Sequence, residues 1–136
     1  MKRILLFFLC ILMVLLCYTT VANAEEASIE PRFTYIINHM VGLNINSSGK
    51  AICSSSVESK SGYPVLVQCK LQQKVGEDWT TVKYWTKSGT GAAIAGGIYY
   101  VHSGYEYRVV AIVQVYTTNN TYILESSTQY SDVIPH

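Results

Sequence analysis

Residues 105–116 read YEYRVVAIVQVY and form the longest β-like run in the chain. In an extended strand, successive side chains point to opposite faces of the sheet. One of the two faces is wholly apolar or aromatic, and it consists of Tyr105, Tyr107, Val109, Ala111, Val113 and Val115. The other face begins polar and becomes mixed. This pattern predicts a central strand that is buried on one face and partly covered on the other.

The N-terminal residues have the pattern of a secretory signal peptide. Two basic residues precede an apolar run at residues 4–16, and a small-residue Ala-x-Ala site ends at Ala24. We therefore predict a signal peptide over residues 1–24 and a single secreted, extracellular domain over residues 25–136. The apolar run is shorter than the ~20 residues that span a bilayer, so we expect no membrane insertion of the mature chain.

Charge and size narrow the classes of function. Removal of the signal peptide leaves eight basic and nine acidic side chains, a formal charge of −1. Nothing in this balance predicts a nucleic-acid partner or an acidic membrane surface. A mature chain of this length makes one small domain, near the lower limit for a self-sufficient core.

Cys53 and Cys69 are the cysteines that remain after export, and a lone pair in an exported chain favours a disulfide. Closing the loop between them would stabilise the fold by ~3 kcal/mol in the chain-entropy model. Alternation places both cysteines on the inward faces of successive strands. A catalytic or metal-binding thiol is the alternative, but no Cys-x-x-Cys or His-x-x-x-His spacing supports it.

Turn residues divide the mature chain into about seven short strands with no helical stripe. The predicted strands span residues 33–41, 50–57, 65–74, 79–86, 92–101, 105–116 and 122–134. A short edge-like piece lies at residues 43–45, and Pro135 is expected to stop pairing. This count predicts an all-β fold, a two-sheet antiparallel sandwich, with a small barrel as the alternative.

The approach to the central strand resembles the turn before the sixth strand of fibronectin type III domains. Residues 101–107 read VHSGYEY, against the pattern Leu-x-Pro-Gly-x-x-Tyr of that family. The resemblance implies an immunoglobulin-like or fibronectin type III-like sandwich with Tyr107 as its tyrosine corner. Tyr105 is the alternative corner residue, and Tyr107 is preferred because it lies three residues after Gly104. Ser103 departs from the family's proline.

A second resemblance covers most of the mature chain. Its segments are residues 69–74, 79–85, 104–111 and 125–128, which read CKLQQK, WTTVKYW, GYEYRVVA and ESST. They are similar to a group of small, uncharacterised secreted proteins of Gram-positive bacteria. This resemblance implies fold and localisation, and it carries no activity.

No catalytic constellation stands out in the sequence. The three histidines, His39, His102 and His136, lie far apart and have no ligand spacing, so we predict neither a metal site nor a cofactor. The acids are scattered, and nothing singles out two of them as a glycosidase pair. Gly-x-Ser-x-Gly is absent.

The aromatic strand at residues 79–86 is the more informative feature. Under strict alternation, Trp79 and Trp85 share one face, and Tyr84 shares the other with Val82. If Val82 faces the core, both tryptophans lie on the outer face and could bind a sugar ring or a protein. The alternative is that a loop or a twist covers this face.

These observations predict a secreted, non-enzymatic binding module with an extracellular glycan or protein as its partner. A small extracellular hydrolase with two carboxylates in one pocket is the alternative. A structural protein, or an effector delivered to other cells, is a third possibility.

Overall fold

The computed structural model describes residues 32–136, so the predicted signal peptide and its cleavage site lie outside the described residues. The described chain is an all-β sandwich of two antiparallel sheets, which confirms the predicted fold class. It contains eight strands rather than about seven. Within this range, one 3-10 turn, Lys60–Gly62, is the sole helical element. No helix among the described residues is long and apolar enough to cross a membrane.

The smaller sheet has three strands in the order β1-β2-β5 and the larger has β4-β3-β6-β7, with β8 paired to β6. Their bounds are β1 Ile36–Ile45, β2 Lys50–Ser59, β3 Pro64–Val75, β4 Asp78–Thr90, β5 Ala92–Tyr100, β6 Glu106–Tyr116, β7 Ile123–Tyr130 and β8 Ile134–Pro135. This architecture is compatible with the immunoglobulin and fibronectin type III resemblance.

The core lies between the two sheets and is built from alternating residues of β2, β3 and β6. The predicted central strand is β6. Its inward side chains, at alternate positions from Tyr107 to Val115, are buried as predicted. Tyr105 is the exception, since it precedes β6 in the turn and is exposed. Val65, Val67, Cys69 and Leu71 of β3 are fully buried against them.

The first and last of the described residues lie at opposite ends of the sandwich. Ile36 pairs with Ser59, and this end also holds Gly91. We call it the Ser59 end. The last residue, His136, lies at the other end, where its backbone bonds to Gly104 and Tyr105. Val101 bonds to Gly49 there, so we call it the Gly49 end.

Two strand boundaries differ from the sequence prediction. β4 continues to Thr90, through residues whose serine and glycine content predicts a loop. Pro135 does not stop pairing, because it pairs with Glu106 as part of β8. Proline lacks a donor N–H, but an edge position does not require one.

Candidate functional site

A β-bulge at Val82 decides which aromatic side chains of β4 face outward. In the pairing of β4 with β3, Gln72 faces Thr81 whereas the preceding Leu71 faces Lys83. Val82 is therefore an extra residue without a partner on β3. An extra residue shifts the alternation by one. The side chains that face outward are therefore odd-numbered before the bulge and even-numbered after it.

Trp85 lies on the inner side of the larger sheet. It pairs with the buried Cys69 and packs against the hydrophobic core. Its indole covers Gly97 of β5, where a Cβ atom would lie only 2.6 Å from Nε1. The prediction that Trp79 and Trp85 share an outer face is therefore corrected: Trp79 faces outward, and Trp85 joins the two sheets.

Tyr84 takes the outward position expected of Trp85. It pairs with Lys70, whose side chain is on the outer face, and it is 67% exposed. Beside it lies a shallow depression of about 480 Å³, lined by Gln68, Lys70, Thr81, Tyr84 and Thr86. We call this outer surface of β3 and β4 the Tyr84 face. The assumption of strict alternation did not reveal this face, because it placed the Tyr84 side chain on the inner side of the sheet.

The sequence did contain a signal for this bulge. Val82 and Trp85 are both apolar and three positions apart, and a regular strand cannot turn both toward the core. In the structure both pack against it. An inserted residue is the local device that makes such an arrangement possible.

Trp79 lies at the Gly49 end of the outer face, in a stack with Arg108. The guanidinium carbon of Arg108 is 4.2 Å from the centroid of Trp79 and 4.7 Å from that of Tyr130. Cation–π contacts of this kind hold the guanidinium in place. Its Nε also donates to Gln72 Oε1 at 2.9 Å. One face of the Trp79 ring is therefore occupied by Arg108.

A second hollow, of about 500 Å³, lies at the Ser59 end near Gly62, Thr90, Thr118 and Asn120. It is lined mainly by small residues and hydroxyls, and no aromatic or charged side chain contributes to it. Ligand sites usually combine apolar contact area with a few polar groups. The Tyr84 face has this combination, and the second hollow lacks it.

Tyr107 has the geometry of a tyrosine corner. Its ring is 1% exposed, and its hydroxyl donates to the carbonyl oxygen of His102 at 2.8 Å. Burial raises the pKa of Tyr107, which keeps the hydroxyl protonated as a donor. Tyr105 is exposed and its backbone bonds to His136. The corner fixes the turn into β6 and has no part in the Tyr84 face.

The structure holds Cys53 and Cys69 as free, buried thiols, so it does not contain the predicted disulfide. Cys53 lies on β2 and Cys69 on β3, one in each sheet. Burial, together with the nearby Cys69, raises the pKa of Cys53 to about 12, and burial raises that of Cys69 to about 11. Such thiols are poor nucleophiles, because the thiolate is the reactive form.

Glu125 of β7 joins the two sheets at the Ser59 end. Its carboxylate accepts backbone N–H bonds from Thr34, Tyr35 and Ile36 at 2.7–2.9 Å. Burial acts to raise the pKa of Glu125, but these three bonds outweigh it and hold the pKa below its ordinary value. The carboxylate is thus a structural clamp and not a free acid.

His39 of β1 also lies where the two sheets meet, beside β7. Its Nδ1 is 3.2 Å from Ser127 Oγ, and burial lowers the pKa of the imidazole. Its Nε2 has no hydrogen-bond partner within the described chain. The neutral imidazole suits this position, because a buried charge without a partner is costly.

Two acids of the described residues have structural partners. Glu106 pairs with Lys74 at 3.2 Å on the outer face, and Glu125 is the clamp described above. In residues 32–136, no three His, Cys, Asp or Glu side chains gather as metal ligands would. Comparison with known proteins adds no further constraint: no family model and no curated protein matches the chain.

Proposed function

We propose that the protein is a secreted, non-enzymatic binding module that recognises a glycan or protein on the Tyr84 face. One observation carries this proposal: Tyr84 stands two-thirds exposed beside a depression lined by amide, hydroxyl and ammonium groups. An aromatic ring offers apolar contact area, while neighbouring polar groups provide hydrogen bonds. A sugar needs both kinds of contact, so a glycan is the ligand class that this chemistry favours.

The position of Arg108 favours a ligand that carries an acidic group. Its Nε is used by Gln72, and within the described residues no hydrogen bond uses its two terminal nitrogens. A guanidinium held by two aromatic rings loses little conformational freedom when it binds a carboxylate or phosphate. The neighbouring Lys74 is already paired with Glu106, so of these two cations Arg108 is the one without an ion-pair partner among the described residues.

Location outside the cell is supported by sequence alone. The N-terminal pattern is that of a signal peptide, and the resemblance to small secreted proteins of Gram-positive bacteria agrees with it. In such a setting, surface polysaccharide and peptidoglycan are the abundant glycans. Neither observation bears on catalysis, and within residues 32–136 no side-chain arrangement specifically favours the hydrolase alternative.

A sedimentation pull-down tests the proposal. The purified protein is mixed with peptidoglycan and with insoluble polysaccharides, beside Tyr84→Ala and Arg108→Gln variants. We expect Tyr84→Ala to reduce the binding affinity about tenfold or more. A central aromatic contact commonly contributes at least about 1.4 kcal/mol, which corresponds to a tenfold change in affinity. Arg108→Gln should weaken binding to acidic matrices more than to neutral ones.

Tyr122→Ala is the matched control, because Tyr122 is 69% exposed but lies in the turn before β7. It should bind like the unchanged protein. Equal binding by Tyr84→Ala and Tyr122→Ala would contradict the proposed site. Breakdown of a matrix that stops when one carboxylate is replaced would favour the hydrolase instead.

A further inference from the structure

The outer face of the three-stranded sheet is unusually apolar for an exposed surface. Its large side chains are Met40 of β1, Ile52 of β2, and Ile94, Ile98 and Tyr100 of β5, each 49–73% exposed. We call these five residues and the strands between them the isoleucine face. Contiguous apolar surface of this kind on a small protein marks an interaction site.

The middle of the isoleucine face is flat. Gly42, Ser54 and Gly96 are register partners across the three strands and form a row perpendicular to them. The Ser54 hydroxyl occupies the space beside Gly42, where a Cβ atom would lie 2.8 Å from it. No large side chain rises from this row, so another sheet could approach closely along it.

Two charges lie on the isoleucine face, and they are symmetrically placed. Lys50 and Glu58 are both on β2, four residues to either side of Ser54. Among the described residues, neither has an ion-pair partner. The face therefore carries one positive end, one negative end and an apolar middle.

We propose that the isoleucine face binds a second copy of this chain. The twofold axis would lie between the two copies, directly above the row of Gly42, Ser54 and Gly96 and parallel to it. Rotation about that axis reverses the strand direction of the second copy. Lys50 of each copy then faces Glu58 of the other, so the interface contains two oppositely charged pairs. A twofold interface must be self-complementary in this way.

The sizes of the side chains fit the same operation. Each residue is brought opposite the one at equal distance on the other side of the row. The resulting pairs are Tyr100 with Ala92, Ile52 with Ser56, Met40 with Asn44, and Ile98 with Ile94. Three of these four pairs match a large side chain with a smaller one, as interdigitating sheets require.

The dimensions of the face indicate a weak dimer. Three strands of nine or ten residues cover roughly 14 Å by 30 Å, or about 400 Å² of flat area per copy. Stable complexes commonly bury about 800 Å² per partner. Packed sheets cross at about 30°, an offset that the long Lys50 and Glu58 side chains can span.

Sedimentation equilibrium over about 10 µM to about 1 mM tests this assignment. The mass of the unchanged protein should rise with concentration toward twice the monomer mass. Lys50→Glu and Glu58→Lys, tested separately, should each remain monomeric, because like charges would meet twice. Lys87→Glu is the matched control, an exposed lysine on β4, and it should dimerise normally.

The decisive sample is an equimolar mixture of the Lys50→Glu and Glu58→Lys variants. One carries two acids and the other two lysines, so a mixed dimer would have both pairs restored. The double variant should likewise recover dimerisation with itself. Recovery in both samples supports the twofold arrangement, and it also shows that each variant is folded. A monomer at every concentration, or no recovery in the mixture, would overturn it.

Discussion

The two outer faces of the sandwich differ in how their side chains are satisfied. On the larger sheet, polar and aromatic groups hold one another: Arg108 contacts Trp79, Tyr130 and Gln72, and Lys74 pairs with Glu106. On the smaller sheet, exposed isoleucines surround a flat row, and the two charges lack ion-pair partners within the described chain.

The difference separates two kinds of recognition. Side chains that are already ordered lose little entropy on binding, which suits a small polar ligand. A broad apolar face gains most when a large surface covers it and removes it from water. One face thus fits the glycan proposed above, and the other fits the second copy of the chain proposed above.

The largest expected effect concerns which aromatic residue belongs to the ligand face. We expect Trp85→Ala to lower the free energy of unfolding by about 3 kcal/mol, because the indole bridges the sheets over Gly97. Tyr84→Ala should cost no more than about 1 kcal/mol, since its ring is exposed. Urea denaturation measures both. The opposite ranking would place Trp85 on the outer face.

The second effect concerns the clamp between the sheets. We expect Glu125→Gln to lower the free energy of unfolding by about 1 to 2 kcal/mol at pH 7, through weaker bonds to three backbone N–H groups. Glu77→Gln, in an exposed turn, is the control and should have almost no effect. Equal stability of the two variants would contradict the clamp.

The pH dependence has a defined sign. The folded-state pKa of Glu125 lies below the ordinary value of 4.5, so its stabilisation is complete above about pH 4.5. It is lost as the pH falls through the lower, folded-state value. The stability difference between the unchanged protein and Glu125→Gln should therefore shrink in acid, which denaturation at several pH values measures.

The tyrosine corner should stabilise the fold without serving either face. Tyr107→Phe removes the hydrogen bond to His102, and we expect a loss of about 1 kcal/mol. Tyr105→Phe should leave stability unchanged. Binding to the matrices and dimerisation should be unaffected in both variants at a temperature where they are folded. A larger loss for Tyr105→Phe would make Tyr105 the corner.

The smallest change is expected for the thiols inside the core. Because Cys53 and Cys69 are free and buried, a thiol reagent should modify neither in the native protein and both after unfolding. Mass spectrometry of the unfolded, unreduced protein counts the two additions. A protein about two daltons lighter, with no reactive thiol, would instead contain the disulfide that the sequence suggested.

Regular alternation made much of this fold predictable. The inward residues of β3, from Val65 to Leu71, and those of β6 follow a period of two and are buried as expected. The buried face of such a strand can be predicted from its own sequence, without knowing which strands lie beside it. The sandwich followed from their number and spacing.

The candidate site could not be predicted in the same way. Its composition depends on the bulge at Val82, which exchanges the positions of Tyr84 and Trp85. The spacing of Val82 and Trp85 indicates an irregularity in the strand, but pairing with β3 across the sheet is what places the extra residue at Val82. The stack of Arg108 on Trp79 likewise joins residues of separate strands that only the sheet order brings together.

The placement of residues 32 and 136 has a mechanical consequence. A pull applied through Arg32 and His136 would act along the strands, because the two residues lie at opposite ends of the sandwich. At the Ser59 end, the load would reach the Glu125 clamp first, before the ladder between β1 and β2. Forced unfolding follows the barrier to opening, and protonation of one carboxylate would lower that barrier. We therefore expect the force that unfolds the protein to fall in acid, as Glu125 becomes protonated.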